Sequence, residues 1–218
     1  MSLPGGTDKL TLKNYFAAGV NGGNPMIDVF QFADGTSVTS ADMAAAAKGI
    51  NGTSSNDVLT GSALNDKIYG LSGNDTLTGG AGNDLLVGGV GSDLYKLGRG
   101  AGQDIIDNST ADTTPGKQDI VQYSADVASN QLWFQHVGSD LVVSIIGTTD
   151  KVNIQNWYSS TANHVQEFIA GDGKTLSDSQ VDQLVNAMAG FAPPPQGQTT
   201  LPQSYQDQLA PTLAASWQ

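Results

Sequence analysis

Five consecutive nine-residue segments decide the fold of this 218-residue chain: GTSSNDVLT (52–60), GSALNDKIY (61–69), GLSGNDTLT (70–78), GGAGNDLLV (79–87) and GGVGSDLYK (88–96). An aspartate occupies the sixth position of every segment, and a large apolar residue occupies the eighth. After the insertion of Leu97 and Gly98, a sixth segment, RGAGQDIID (99–107), supplies Asp104 and Ile106. Repetition at a fixed period is the sequence signature of stacked repeat architectures.

The residue types within each segment predict a tight turn followed by a short strand. Glycine at the first, second and fourth positions permits positive φ, so that the first six residues can turn sharply. The last three residues form a strand whose middle side chain points inward. Two segments then make one coil, so that odd-numbered segments stack on one side and even-numbered segments on the other.

Stacking of this kind gathers the aspartates into two columns. Neighbouring coils lie about 4.8 Å apart, and two carboxylates at that spacing repel by about 3–4 kcal/mol if the effective dielectric constant is roughly 20. A hard divalent cation between them reverses the sign of this interaction, and Ca²⁺ accepts carboxylate and carbonyl oxygens in flexible geometry. The spacing therefore predicts Ca²⁺ between the coils. A series of Asp-Gly turns without metal is the alternative.

These segments resemble the RTX (repeats-in-toxin) nonapeptide, G-G-x-G-x-D-x-U-x, over residues 52–108. The resemblance implies a parallel β-roll that binds about four Ca²⁺ ions, shared by Asp75 and Asp93, by Asp84 with Asp66, by Asp84 with Asp104, and by Asp57 with Asp75. Ser55 and Leu64 depart from the family pattern at the fourth position. The metal-site residues that the resemblance implies, carboxylates and turn residues together, are Asp57, Asp66, Gly70, Ser72, Gly73, Asp75, Gly79, Gly80, Ala81, Gly82, Asp84, Gly88, Gly89, Val90, Gly91, Asp93, Gly100, Gly102 and Asp104.

A second unit occurs on both sides of the repeat. Residues 8–16 (DKLTLKNYF) align with 150–158 (DKVNIQNWY), and 32–47 align with 169–185. Alternating apolar residues predict a strand in each copy, with further strands at 119–123, 131–136 and 141–146. Capping-box spacing at Thr39 and Ser177 predicts that a helix follows in each copy, and its apolar face in the second comprises Val181, Leu184, Val185 and Met188.

This unit resembles the haemolysin-type calcium-binding related domain, which implies that it caps the ends of the array. The Trp157–Tyr158 pair is interpreted as core rather than as a sugar platform. Three aliphatic residues on the outer face of the roll, Leu85, Val87 and Leu94, are expected to be buried, because a monomer seldom leaves such a patch in water. Residues 119–190, whose strands carry Leu132 and Phe134, are the expected cover, and a second copy of the chain is the alternative.

The predicted fold is all-β dominated: a parallel β-roll of nonapeptide repeats with capping strand and helix units on both sides. The expected domains are an N-terminal capping unit that is a partial copy (1–50), the RTX β-roll (51–108), a C-terminal capping unit (109–190), and a linker with a tail (191–218). The tail resembles the uncleaved C-terminal signals of RTX proteins exported by type I systems. A disordered terminus is a compatible interpretation.

Composition excludes several classes of protein. Nine Lys and Arg stand against 21 acids, 20 of them Asp, and the net charge is −12, which argues against nucleic acid and anionic lipid as partners. The absence of Cys excludes disulfides and thiolate sites. No apolar run is long enough for a membrane span, and no signal-peptide core is found near the N-terminus. Neither His136 nor His164 has zinc-site spacing and no G-x-S-x-G elbow occurs, so no enzymatic activity is expected.

The function that these features predict is a calcium-binding RTX module of a larger secreted bacterial protein, which couples Ca²⁺ binding to extracellular folding and type I export. Its expected partners are calcium, the type I secretion machinery and the remainder of the parent chain. An adhesion or polysaccharide-binding module that uses calcium for rigidity is the alternative, and an exposed aromatic or polar groove would favour it. An enzyme would need a pocket with convergent titratable groups.

Overall fold

A computed structural model describes residues 49–218 apart from 110, 111 and 113, together with two short strands nearer the N-terminus. The chain forms two compact units, residues 1–47 and 48–218. In the first unit, β1 (Val29–Gln31) and β2 (Ser37–Thr39) pair antiparallel. The strand predicted within 8–16 and the helix predicted after Thr39 lie outside the described residues.

The nonapeptide segments form short parallel strands in two sheets. Odd-numbered segments supply β4 (Val58–Thr60), β6 (Thr76–Thr78) and β8 (Leu94–Leu97) to one sheet. The other sheet contains β3 (Ile50–Asn51), β5 (Lys67–Ser72), β7 (Leu85–Val90) and β9 (Gln103–Ile106). Val58 pairs with Thr76 and Thr76 with Leu94, as one coil of two segments requires. This register confirms the strand-rich, parallel fold that the repeat predicts.

The strands β5 and β7 have six residues each, twice the three predicted, because the turns also stack in register. Leu71 pairs with Gly89 and Ser72 with Val90, and the Gly73 N–H donates to the Val90 carbonyl at 2.9 Å. Leu71 has a φ of +79° there, in the left-handed region, whereas the equivalent residues of the next two segments are glycines. Among the described non-glycine residues, only Leu71 and Asn156 have positive φ.

Replacing Leu71 by glycine is expected to stabilise the protein. The left-handed conformation costs a non-glycine residue about 1–2 kcal/mol, the Leu71 side chain is already 49% exposed, and the added flexibility of glycine offsets about 0.5–1 kcal/mol of the gain. We expect Leu71→Gly to raise the free energy of unfolding by about 0.5–1 kcal/mol in denaturant titrations. Val90→Gly, at a 37% exposed side chain without positive φ, is the control and should lower it; equal effects would contradict the strain at Leu71.

Both sheets continue beyond the repeat. In the first sheet, β10 (Ile120–Tyr123) pairs parallel with β8, followed by β14 (Glu167–Ile169) and β15 (Thr175–Ser177). In the second sheet, β13 (Lys151–Ile154) pairs parallel with β9, followed by β12 (Asp140–Ile145) and β11 (Leu132–Val137). Strands therefore occur where the alternation after the repeat predicts them. Short 3₁₀ turns lie at Ser129–Gln131, Trp157–Ser159 and Thr161–Asn163.

One core runs through the roll and into the strands that follow it. The eighth-position side chain of the first segment, Leu59, is partly buried. Those of the other five segments are fully buried, namely Ile68, Leu77, Leu86, Tyr95 and Ile106. Trp157 is buried and Tyr158 packs against the same core. The interpretation of this aromatic pair as core is therefore confirmed.

The part of the expected cover that names residues 119–190 is wrong, because β7 and β8 contact the strands beside them and no helix or strand of that segment lies over their outer face. Leu85, Val87 and Leu94 are partly buried rather than exposed, and cover by a second copy of the chain stays a prediction. Residues 119–190 extend the sheets edge to edge instead, because pairing with β8 and β9 satisfies the backbone groups of the exposed edge strands. Within residues 119–190, Leu132 and Phe134 lie in the interior core.

Two helices complete the second unit as described. The helix α1 (Asp178–Met188) buries the predicted face of Val181, Leu184, Val185 and Met188, and the Ser177 N–H donates to Gln180 Oε1 at 3.2 Å. The helix α2 (Gln203–Ser216) packs against α1. No helix in the described part of the chain is long and apolar enough to cross a membrane.

The tail, expected to follow a linker, is packed against the strands and α1. Leu201, Leu209 and Trp217 are buried, and the ring of Trp217 lies 6.2 Å from that of Phe134. At the C-terminus, Gln218 and Thr175 exchange two backbone hydrogen bonds of 2.9 Å. Residues 201–218 are therefore packed in the structure, and the interpretation of the tail as a disordered terminus is wrong for them.

Candidate metal centres

The repeat aspartates form two columns linked by hydrogen bonds. In each column, Oδ1 of one aspartate accepts the backbone N–H of the aspartate one coil earlier, at 2.8–3.0 Å. The structure thereby brings together every pair for which the sequence predicts a shared ion. The odd column contains Asp57, Asp75 and Asp93, and the even column contains Asp66, Asp84 and Asp104.

The second carboxylate oxygen distinguishes three of these residues from the others. Oδ2 of Asp75, Asp84 and Asp93 is buried and has no hydrogen-bond partner. An ionised carboxylate in this position costs free energy unless a cation or donor compensates it. These three oxygens are the atoms in the columns that most need a cation.

Burial also shifts the acidity of the carboxyls in the absence of metal. It raises the pKa of Asp84 and of Asp93 to about 6 and that of Asp104 to about 7, and it raises the pKa of Asp75 as well. Hydrogen bonds from the preceding coil oppose these shifts, and the neighbouring carboxylates add to them. For Asp93, the ammonium of Lys117 also opposes the rise. The columns therefore hold negative charge at a cost that a bound cation removes.

The first two segments satisfy their aspartates in another way. Oδ2 of Asp57 accepts the N–H and hydroxyl of Thr53 at 2.6 and 2.9 Å, and Oδ2 of Asp66 accepts the same groups of Ser62 at 2.6 and 2.9 Å. Thr53 and Ser62 occupy the second position, where later segments have Leu71, Gly80 and Gly89. From the sequence, these two segments differ from the family pattern at the fourth position, where Ser55 and Leu64 replace glycine. In the structure, the second position matters as well, because its side chain donates a hydrogen bond to the oxygen that would otherwise face a cation.

Glycine at the first position keeps space open beside the carboxylates. A Cβ on Gly70 would collide with both Asp75 Oδ2 and the carbonyl oxygen of Gly88. The same pair of oxygens meets at Gly52, where a Cβ would lie 2.5 Å from the Gly70 carbonyl oxygen and 2.8 Å from Asp57 Oδ2. A carboxylate of one coil and a turn carbonyl of the next therefore converge at this position, which is the kind of oxygen donor set that Ca²⁺ uses.

The other predicted turn residues are held in two different ways. Those of the third to fifth segments lie in turns that stack closely on one another, with the carbonyl of Gly73 directly against Gly91. The turn of the sixth segment is held differently, because the N–H groups of Gly100 and Gly102 donate to Asp150 at 2.9 and 3.1 Å. Among the described residues, no three His, Cys, Asp or Glu side chains converge as a metal cluster, so ligands beyond the paired carboxylates would be backbone oxygens.

A fourth member of the odd column, Asp119, was not predicted from the sequence. Its Oδ1 accepts the Asp93 N–H at 2.9 Å, and its backbone is in register with the fifth segment, since Ile120 pairs with Leu94. Asp119 follows Asp93 by 26 residues, which breaks the period. The local pattern Asp119-Ile120-Val121, equivalent to the sixth to eighth positions, is the signal that identifies it.

A second missed feature is a ladder of fifth-position amides. Asn56, Asn65, Asn74 and Asn83 each accept, through Oδ1, a backbone N–H from the next coil at 2.7–2.9 Å. The recurrence of Asn at the fifth position of four segments was the available signal. These bonds hold successive turns in register and so help to fix the spacing of the aspartates.

Family comparisons agree with this geometry and define the class of protein. Residues 60–95 match the RTX calcium-binding nonapeptide repeat in four copies. Residues 1–42 and 140–180 match the haemolysin-type calcium binding protein related domain. The chain is therefore a Ca²⁺-binding module that carries haemolysin-type RTX repeats. The match to the repeat begins at residue 60, the last residue of the segment in which Thr53 satisfies Asp57.

Proposed function

We propose that this RTX module couples Ca²⁺ binding to folding outside the cell, as part of a larger secreted bacterial protein. The observation that supports the proposal best is the set of buried oxygens without partners on Asp75, Asp84 and Asp93. About four ions would be held, those between Asp75 and Asp93 and between Asp84 and Asp104 most tightly. The pairs containing Asp57 and Asp66 would bind more weakly, because one partner already has its own donors.

Linkage provides the mechanism. The columns exist only in the folded chain, so calcium that binds them stabilises that state by about 2.7 kcal/mol for each site when its concentration is 100 times the dissociation constant. Several such sites together match the net stability of a typical domain, about 5–15 kcal/mol. With little calcium, repulsion within the columns and the conformational entropy of the glycines favour the unfolded chain. The chain itself is proposed to have no catalytic role.

The pH dependence of stability is expected to reverse when calcium is added. Without metal, the folded pKa values of Asp84, Asp93 and Asp104 lie at about 6–7, above the ordinary value of 3.8. The folded state then binds more protons than the unfolded state, so its stability falls as pH rises from about 5 to 7.5. With saturating calcium, protons compete with the ion and stability rises over the same range. The folded fraction of metal-stripped protein, followed by circular dichroism, and the thermal unfolding of calcium-loaded protein measure this at both pH values; a metal-free folded fraction that rises with pH would contradict it.

The units on either side of the repeat are proposed to cap the roll. β10 and β13 extend both sheets past the last repeat, which protects edges that would otherwise be open to pairing with another chain. For residues 196–218 we propose a role as a type I export signal. The buried Trp217 and the pairing of Gln218 with Thr175 show that folding covers this tail. Export would then have to precede folding, which fits a chain that folds only when it meets calcium.

Deletion of residues 196–218 tests the export proposal. In cells with a type I system, the truncated chain should be retained inside while the full chain is exported. Because the deletion also removes Leu201, Leu209 and Trp217 from the core, a second variant, Trp217→Ala, separates stability from signalling: it weakens the same packing and should still be exported. Export of the truncated chain would place the signal outside residues 196–218.

A glycan-binding module remains the second candidate, supported by one surface feature. A cleft of about 720 Å³ lies beside the insertion, and Arg99, Asp104 and Tyr123 are among the residues that line it. The Tyr123 hydroxyl is buried and has no hydrogen-bond partner. Specific retention of the calcium-loaded chain on a glycan array, lost in Tyr123→Phe, would favour this function.

A further inference from the structure

The odd column ends on an aspartate whose second oxygen has different surroundings from those before it. Oδ1 of Asp119 accepts the Asp93 N–H, as Asp93 and Asp75 do for the coil before them. The equivalent Oδ2 atoms of Asp75 and Asp93 have no partner. Oδ2 of Asp119, in contrast, lies 2.9 Å from the ammonium of Lys117 and accepts the Asn108 amide at 2.7 Å.

Lys117 is held in this position from two sides. Its ammonium also lies 3.7 Å from Oδ2 of Asp112, and that oxygen accepts the Gly91 N–H at 3.0 Å. The Lys117 side chain is only 12% exposed, whereas the side chains of Asp112 and Asp119 are almost completely buried. This ion pair is therefore unlike a solvated surface pair, which contributes little, because its carboxylates have no access to water.

We propose that the Lys117 ammonium takes the place of a calcium ion between Asp93 and Asp119 and so ends the odd column with a built-in cation. The inference rests on the proposed calcium sites of the roll. It follows from the equivalence of the Oδ2 atoms: the same atom has no partner at Asp75 and Asp93 and meets a positive charge at Asp119. The Asn108 amide completes the replacement, since its Nδ2 also donates to the His164 carbonyl at 2.8 Å and is fixed in place.

The even column has no additional aspartate at its end, so only the odd column needs a lysine there. The residue in register with Asp104 on the next strand is Val152, so no carboxylate continues the column at that position. The nearby carboxylate of Asp150 is out of register and already accepts the N–H groups of Gly100 and Gly102. The odd column continues for one aspartate more and therefore needs one more positive charge. A lysine supplies this charge whether or not calcium is present, and the junction between the roll and β10 can then form before any ion binds.

Lys117→Met removes the charge while keeping the length of the side chain, and Lys96→Met is the matched control. Lys96 is exposed on the outer face of the fifth segment and forms none of the described ion pairs. The number of bound calcium ions is measured by native mass spectrometry and by calorimetric titration. We expect Lys117→Met to bind one ion more than the wild type, and Lys96→Met to bind the same number as the wild type.

The possible outcomes separate this inference from the proposed function. A wild type that binds no calcium contradicts the function itself. A wild type that binds calcium, with an unchanged number in folded Lys117→Met, overturns the role of Lys117 alone. If Lys117→Met does not fold, a crystal structure of the calcium-loaded wild type decides: Lys117 paired with Asp119 supports the inference, and a calcium ion between Asp93 and Asp119 overturns it.

Discussion

Chelation of calcium with EGTA should remove most of the strand signal of the nonapeptide repeat in circular dichroism. Residues 52–107 contain seven aspartates and only three basic residues, Lys67, Lys96 and Arg99. Thirteen of the 27 glycines also lie in this region, and each loses more conformational freedom on folding than another residue would. Without ions these costs remain while the binding energy is lost, so the repeat should unfold at neutral pH.

Magnesium provides the control for this experiment. It requires stricter octahedral geometry than calcium and gives up its water reluctantly, so that magnesium at the same concentration should restore little of the signal, whereas returning calcium should restore it. The strands β10–β15 and the two helices bury apolar residues of their own in the hydrophobic core and contain none of the aspartates of the nonapeptide segments. A circular dichroism signal that these elements retain in EGTA is therefore compatible with unfolding of the repeat. A strand signal unchanged by EGTA would show that the roll is stable without metal.

Asp84→Asn should weaken calcium binding more than the same change at Asp66, one coil earlier in the same column. Asp84 has an oxygen without a partner and lies between two predicted sites. Its loss should weaken both sites by roughly tenfold or more, which equals at least about 1.4 kcal/mol each. Calorimetric calcium titration measures the affinities, and thermal unfolding in excess calcium measures the resulting stability.

Asp66→Asn is the matched control because the chemical change is the same. Oδ2 of Asp66 already accepts two hydrogen bonds from Ser62, and an asparagine can keep one oxygen facing these donors. The effect should be confined to one weak site and should be several times smaller than that of Asp84→Asn. Equal losses of affinity in the two variants would contradict the division of the columns into aspartates with and without their own donors.

The nine-residue spacing was sufficient to predict the roll because each position has one dominant physical role. The eighth-position residues, such as Leu77 and Leu86, are buried as expected, and the register of one coil follows from two equal segments. The strands and the helix after the repeat also follow from local alternation and capping. In these parts, sequence-local preferences and tertiary packing agree, which is what makes a fold readable from sequence.

The details of the candidate site depend on tertiary contacts that the nine-residue period does not predict. Whether an aspartate needs a cation depends on the second-position side chain of its own turn, as Ser62 shows for Asp66. Asp119 joins its column across 26 residues, and Lys117 acquires its role only through that placement. Residues 119–190 extend the sheet edges instead of covering Leu85, since pairing with β8 and β9 satisfies the backbone groups of those strands.

Anomalous diffraction from crystals grown in calcium tests the central claim most directly. The account predicts a cation about 2.3–2.6 Å from Oδ2 of each of the three aspartates Asp75, Asp84 and Asp93, with turn carbonyls completing the ligands. It predicts weaker density where Asp57 or Asp66 is a partner. Anomalous maps without peaks at these three oxygens, in a folded protein saturated with calcium, would contradict the assignment of the columns as calcium sites.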